Sequence, residues 1–119
     1  MAGISVARAN AMLDTELSGT LNLRLYTVAP TSTTSGTEVT GAAYIAQVIA
    51  FSAASSGTKT QAGGVNFPAA TANYSAPVVA WAITDGSGNI KFFLTFTSIT
   101  VNSGDQVQFP TATIAVSLA

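Results

Sequence analysis

The sequence predicts a mainly all-β chain: an antiparallel, jelly-roll-like β-sandwich of about seven to eight short strands with one short N-terminal helix. Three observations carry this. After Gly19 the apolar residues recur every second position, the period of a half-buried strand. Turn signals built on Gly, Pro, Asn and Asp recur roughly every 8–12 residues. The chain has 119 residues, 48% of them apolar, and no Cys, so one core must rest on packing and backbone pairing without disulfides. Residues 1–119 read as a single sandwich domain, with the helix at 5–17 and the strands within 21–118.

The first element is the helix. Ser5 suits the N-cap, and Val6 to Leu17 contains Ala7, Ala9, Ala11, Met12 and Leu13, which form or tolerate helix. Ile4, Ala7, Ala11 and Met12 fall on one face at helical spacing, and Gly19 lies just past the end, where a left-handed cap is common. The first strand follows at 21–28: Leu21, Leu23 and Leu25 point one way, and Asn22, Arg24 and Tyr26 point the other. Ala29 to Thr37 is a loop of Pro, Gly and small hydroxyls with nothing to pack.

Tyr44 to Ser52 reads as the next strand, with Ile45, Ile49 and Phe51 on a face that Gln47 interrupts. Ala53 to Gly64 is small and polar, with an edge strand expected at Thr58 to Gln61. Val65-Asn66-Phe67 stops at Pro68, which has no N–H to give a ladder. Pro77 to Thr84 is the most apolar strand: Val79, Trp81 and Ile83 face one side, Val78, Ala80 and Ala82 the other, and both sides look covered. Asp85-Gly86-Ser87-Gly88-Asn89 is a strong hairpin signal leading into Ile90 to Thr97, whose Ile90, Phe92, Leu94 and Phe96 share a face. After a turn at Asn102 to Asp105, Val107 and Phe109 lead to Pro110, and Ile114, Val116 and Leu118 close the chain in register. Val65-Asn66-Phe67-Pro68-Ala69-Ala70-Thr71 echoes Val107-Gln108-Phe109-Pro110-Thr111-Ala112-Thr113, which suggests two equivalent strand ends or two strands that each end in Phe-Pro. Two copies are too few for a repeat architecture.

Charge is the unusual quantity. Only 8% of the residues are charged, against about a quarter in an ordinary soluble domain, and the net charge is −1. Mixed surface charge normally keeps monomers apart, so this composition suits a protein surrounded by copies of itself or by a partner. The cations Arg8, Arg24, Lys59 and Lys91 are scattered and give no footprint for nucleic acid. The longest apolar run, Ala76 to Ile83, is far short of the ~20 residues of a spanning helix, and Met1-Ala2-Gly3-Ile4 shows no signal-peptide pattern. No membrane insertion is expected. The sequon Asn73-Tyr74-Ser75 is read as chance.

The same composition argues against catalysis. Without His or Cys no Ser-His or Cys-His nucleophile can be built, and only a Ser-Lys or carboxylate pair stays formally open. Among the carboxylates Asp14, Glu16, Glu38, Asp85 and Asp105, two sit in turns where Asp is expected for local hydrogen bonds. Asp85 to Asn89 superficially opens like an EF-hand loop but lacks the Gly at loop position six and the closing Glu, the place held by Phe96. Gly86-x-Gly88 and Gly63-Gly64 precede no helix and are not phosphate loops. No enzyme, catalytic residue, metal or cofactor is expected. Trp81, Phe92, Phe96, Phe51 and Phe109 fit core positions by period. Tyr26, Tyr74 and Phe93 fall on weakly apolar or opposite faces and form the candidate contact surface, to stack on a sugar or anchor an interface; ordinary half-exposed packing is the competing reading for each.

Several strings carry a resemblance: Leu25-Tyr26-Thr27-Val28-Ala29-Pro30, Gly36-Thr37-Glu38-Val39-Thr40-Gly41, Ala43-Tyr44, Phe51 to Thr58, and Val65-Asn66-Phe67-Pro68-Ala69-Ala70-Thr71-Ala72. Over roughly residues 20–118 the chain resembles small virion proteins of tailed bacteriophages, commonly labelled phage tail fibre proteins. It departs from them at Ala46, where relatives often carry Arg two residues after the tyrosine, and in a shorter hairpin after Trp81. The resemblance implies a non-enzymatic structural protein on the virion surface, made in the host cytoplasm. Heptads and shaft repeats are missing, so a compact module fits better than a whole fibre. The leading expectation is an outer capsid decoration or cement protein, a homo-oligomer with a trimer favoured, bound to the major capsid protein or other virion proteins. The alternative is a tail-fibre or tail-tip module touching a host glycan. A tail-tube or neck component is a weaker third.

Overall fold

The computed structural model describes residues 3–118; Met1, Ala2 and Ala119 lie outside the described residues, and with them half of the Met1–Ile4 stretch read for a leader. Helix α1 (Val6–Glu16) begins where Ser5 accepts a hydrogen bond from the Arg8 N–H at 3.3 Å. Gly19, at φ +73°, takes the left-handed turn that redirects the chain into the sheet. The helix buries Ala9 and Leu13, and Leu17 beyond its end, rather than the expected stripe. Ile4, Ala7, Ala11 and Met12 are exposed, with Met12 at 50%. The reason is side-chain size: Leu13 and Leu17, one turn apart, offer more apolar area to the core than alanines do, and they set the helix's rotation. Two polar ties complete the docking. Asn10 accepts from the Gly57 N–H, and Asp14 accepts from the Ala54 N–H and from Lys59, each at 2.6–2.9 Å.

Among the described residues nine strands follow, all paired antiparallel: β1 (Asn22–Val28), β2 (Thr37–Glu38), β3 (Gln47–Val48), β4 (Thr58–Thr60), β5 (Val65–Asn66), β6 (Val78–Thr84), β7 (Ile90–Ile99), β8 (Gln108–Phe109) and β9 (Ala115–Ser117). The main sheet runs β2-β1-β6-β7, and β3 also pairs with β1. Thus β2 and β3 share one side of β1, while β7, the longest strand, has β6 as its one neighbour among the described residues. Two small two-stranded sheets, β4-β9 and β5-β8, lie against the inner face of the main sheet. The fold is mainly β and antiparallel, with one short helix, as the periodicity predicts.

The core is what the period-two pattern requires. Leu21, Leu23 and Leu25 of the first strand region pack with Trp81 and Ile83 against Phe67, Ile114 and Val116 of the small sheets. Leu13 and Leu17 close the same cluster from the helix side. β6 is covered on both faces, and Trp81 is 7% exposed.

Three strand expectations need correction. The stretch 44–52 is not one strand; it reduces to β3 and an isolated bridge from Phe51 to Gln61, with Ile45 at 61% exposure and Ile49 buried. Ala42 and Ala43, both in the left-handed region at φ 53° and 65°, turn the chain immediately before this stretch. In β6, Val78 joins the inner core while Val79 packs outside with Ala80 and Ala82. The pairing with β7 shifts register between Val78 and Ala80, and such a bulge swaps which face a residue takes. A second shift lies between Ile83 and Thr84, whose partners are Phe92 and Ile90. It puts Ile90 on the outer face with Tyr26 and leaves Phe92 and Phe96 inside.

Candidate functional site

Two concavities flank β7. The first is a cleft of about 750 Å³ on the outer face of the main sheet. Its base holds Arg24, Tyr26 and Glu38; one wall is the loop 31–36, and the other is the hairpin end 88–91 with Phe93. The loop wall is built rather than slack. The Thr31 hydroxyl accepts from the Thr33 and Thr34 amides at 3.3 and 3.0 Å, and the Thr31 N–H donates to the Thr34 carbonyl at 2.9 Å. Pro30 is fully buried, and Gly36 sits at φ +66° so close to the Val28 carbonyl and Pro30 that a Cβ would collide with both. The opposite wall is set by Asp85, whose carboxylate accepts from the Ser87 and Asn89 amides at 2.9 Å. Those bonds, the Asn89 amide foremost, hold the Asp85 carboxyl below the usual carboxylate range.

Beneath the cleft lies a polar network. Arg24 donates to both oxygens of Glu38 at 3.1–3.2 Å and, through Nε, to the Thr84 hydroxyl at 3.0 Å. Tyr44 donates its hydroxyl to Glu38 at 2.6 Å and accepts from the Leu25 N–H at 3.0 Å. The Tyr44 ring stacks on Phe67, centroids 5.7 Å apart, and meets Tyr74 edge-on. Burial, and then the bond to Glu38, push the Tyr44 phenol well above the ordinary tyrosine range. The network joins β1, β2 and the turn after Gly41 to the core.

The second concavity is an apolar groove of about 500 Å³ on the inner face, between β7 and the segment 107–115. Leu94, Phe96 and Ile99 line it from β7, with Trp81 and Ile114 deeper in. Leu94 and Ile99 are 52% and 49% exposed, large values for residues that lie along an apolar groove.

The charged residues are nearly all committed. Lys59, Arg24 and Lys91 pair with Asp14, Glu38 and Glu16, leaving Arg8 as the one cation among the described residues without a carboxylate partner. Asp85 and Asp105 hold turns, as their positions predict. Among the described residues no three potential metal-binding side chains gather.

The three aromatic candidates separate. Tyr26 and Phe93 border the outer cleft together, although Tyr26 is only 5% exposed; Phe93 is 39% exposed. Tyr74 is buried in the core. Asn73, of the chance sequon, accepts from the Ser103 N–H at 2.8 Å.

A family model described as podophage GP4 fiber I protein gp80 matches residues 3–117. The chain belongs to this family. It is a fibre-type structural protein of a bacteriophage, as the tail-fibre resemblance implies. No curated protein matches it. In this member of the gp80 family, the strings that carry the resemblance also supply Glu38, Tyr44 and Phe67, the residues that tie the cleft's base to the core. Sequence reading missed Arg24, Glu38, Tyr44 and Lys91 as a group, since they are 6 to 67 positions apart and separated by turns that no period reveals. The one advance signal was a tyrosine and a glutamate inside conspicuous strings in a chain almost without charge.

Proposed function

We propose that this gp80-family chain is a non-enzymatic building block of the phage fibre that works as a homo-oligomer, with the free edge of β7 as the seam between copies. The observation that carries the reading is the edge itself. β7 has ten residues and one neighbour, and exposed edges are ordinarily guarded by charge, Pro or shortness. From Phe92 to Ile99 this edge carries no charge and no Pro, from Phe92 to Thr95 its pairing with β6 runs without a bulge, and Leu94 and Ile99 stand exposed beside the apolar groove. A second copy laid against it covers backbone groups and apolar surface together. Because the neighbourhood carries almost no charge, docking desolvates few ions.

The family description favours the fibre as the place of assembly. Outer-capsid decoration, with the major capsid protein as partner, draws on the same apolar edge and is the competing placement. Cryo-electron microscopy of particles carrying a tagged copy separates the two: density on the tail supports the fibre reading, and density distributed over the capsid lattice overturns it. Light scattering on the purified chain tests the seam.

A further inference from the structure

We propose that the β7 seam is self-paired: the second copy covers the free edge of β7 with its own β7, antiparallel, about a two-fold axis at Leu94. This rests on the seam reading above and names the partner surface which that reading leaves open. The assembly unit is then a closed dimer.

The other edges are poor partners. On the far side of the main sheet lie β2 and β3, two residues each, and β2 carries Glu38, bound to Arg24 and Tyr44. Shortness and charge are the usual guards of an edge. Past β3 the backbone is already paired within the chain: the Ala50 carbonyl accepts from the Ala62 N–H, and the Ser52 N–H donates to the Thr60 carbonyl, both at 2.9 Å. The small sheets offer strands of only two and three residues. Among the described residues β7 is therefore the one long open edge. Between identical chains such an edge finds an equal only in itself, and a patch that meets its own copy does so about a two-fold axis.

The residues of β7 suit that pairing. Opposed residues of an antiparallel pair share a face, so the axis must fall at a residue rather than between two. Leu94 lies opposite Trp81 on the inner face, and Phe92 and Phe96 pack inward beside it. The inner side thus reads Phe92-Leu94-Phe96, the same in both directions about Leu94. With the axis there, Leu94 meets Leu94, and each Phe92 meets Phe96 of the second copy. An axis at Thr95 instead sets Phe92 against Ser98, apolar against polar. Leu94, 52% exposed, is covered, and so on the outer face is Phe93, 39% exposed, opposite Thr95 of the second copy. The pairing with β6 is unbroken from Phe92 to Thr95, which keeps this stretch regular enough to take a second neighbour. The nearest charge, Lys91, is three positions from the axis, so its two copies stand about 20 Å apart at the rise of a strand and do not oppose each other.

The chain has no Cys, so single introduced thiols report the geometry. Opposed Cα atoms of an antiparallel pair lie about 4.5–5.5 Å apart, within the roughly 4.4–6.8 Å that a disulfide spans. On mild oxidation Leu94→Cys is expected to give a covalent dimer on a denaturing gel. Ile99→Cys, similarly exposed, is expected to stay unlinked, because its two copies are ten positions apart along the ladder, about 34 Å. An equimolar mixture of Phe93→Cys and Thr95→Cys, which keeps Leu94, should link far more than either variant alone. Light scattering on the unsubstituted chain should give the mass of two chains. A trimer or larger closed assembly, equal linking at 94 and 99, or no linking in either Leu94→Cys or the mixture overturns the proposal. The two levels separate: an unsubstituted chain that is monomeric, or an oligomer that Leu94→Lys leaves intact, overturns the seam itself. An oligomer that Leu94→Lys dissociates, but that links in neither thiol experiment, keeps the seam and removes the two-fold pairing.

Discussion

Val65 lies opposite Phe109 in the β5–β8 ladder, and the Phe67 N–H donates to the Val107 carbonyl at 2.9 Å. The two Val-x-Phe-Pro echoes of the sequence are therefore strand partners, each placing its Phe across from the other's Val. The ladder is symmetric but its burial is not: Phe67 is fully buried, and Phe109 is only partly so. Phe67→Ala should cost about 3–5 kcal/mol, the usual range for a fully buried Phe, and Phe109→Ala clearly less. Urea denaturation of both variants checks the difference; equal losses would mean that the two positions are equally enclosed.

Gln61 is the polar clamp of the small sheets. Buried at 1% exposure, it donates to the Gly63 and Phe109 carbonyls at 2.6 and 2.8 Å and accepts from the Ile114 N–H at 3.1 Å. Gln61→Leu keeps the volume and strands these backbone groups. A loss of about 2–4 kcal/mol is expected, since each stranded buried group costs about 1–3 kcal/mol. Chemical denaturation measures it, and a neutral result would remove the clamp from the account.

Alkaline pH should destabilise the chain. Burial raises the phenols of Tyr44, Tyr26 and Tyr74 above the ordinary value of 10.0. Below that value both folded and unfolded chains are protonated and the contribution is complete. As pH rises past it the unfolded chain ionises first, so stability falls on the way to the folded values. Tyr44→Phe should start less stable, having lost the bonds to Glu38 and Leu25, yet show a shallower fall in Tm between about pH 9 and 11. Parallel Tm profiles for the two proteins would contradict the assignment to Tyr44.

Gly36→Ala should disturb the cleft wall first. Its φ of +66° disfavours any side chain, and the added Cβ meets backbone, which cannot swing aside. A loss of about 1–3 kcal/mol is expected, with faster amide exchange across 31–36 than in the parent.

The long elements were legible from the pattern alone. Three leucines at alternate positions predict β1, and the run 77–84 predicts a strand covered on both faces, although the register shift at its start exchanges the faces of Val78 and Val79. What stayed hidden depends on register. One extra residue between Ile90 and Phe92 sends Ile90 to the outer face, and of the stretch 44–52 only Gln47, Val48 and Phe51 find strand partners, which no alternation of residues reveals. The cleft was half legible: Tyr26 and Phe93 fell on the right face, whereas Tyr74 is drawn into the core by Tyr44, and the Arg24–Glu38–Tyr44 network is a product of tertiary pairing. The scarcity of charge also takes on a sharper meaning. Nearly every ionic group is used to pin α1, hold a turn or support the cleft, which leaves the β7 edge without charge from Phe92 to Ile99.

Multi-angle light scattering after size exclusion, on the unsubstituted chain and on Leu94→Lys, tests the central claim most directly. Leu94 is half exposed, so the lysine should leave the monomer fold intact while setting a charge on the edge. The account predicts a discrete homo-oligomer for the unsubstituted chain and a folded monomer for Leu94→Lys. A monomeric unsubstituted chain at micromolar concentration, or an oligomer untouched by the lysine, would contradict it.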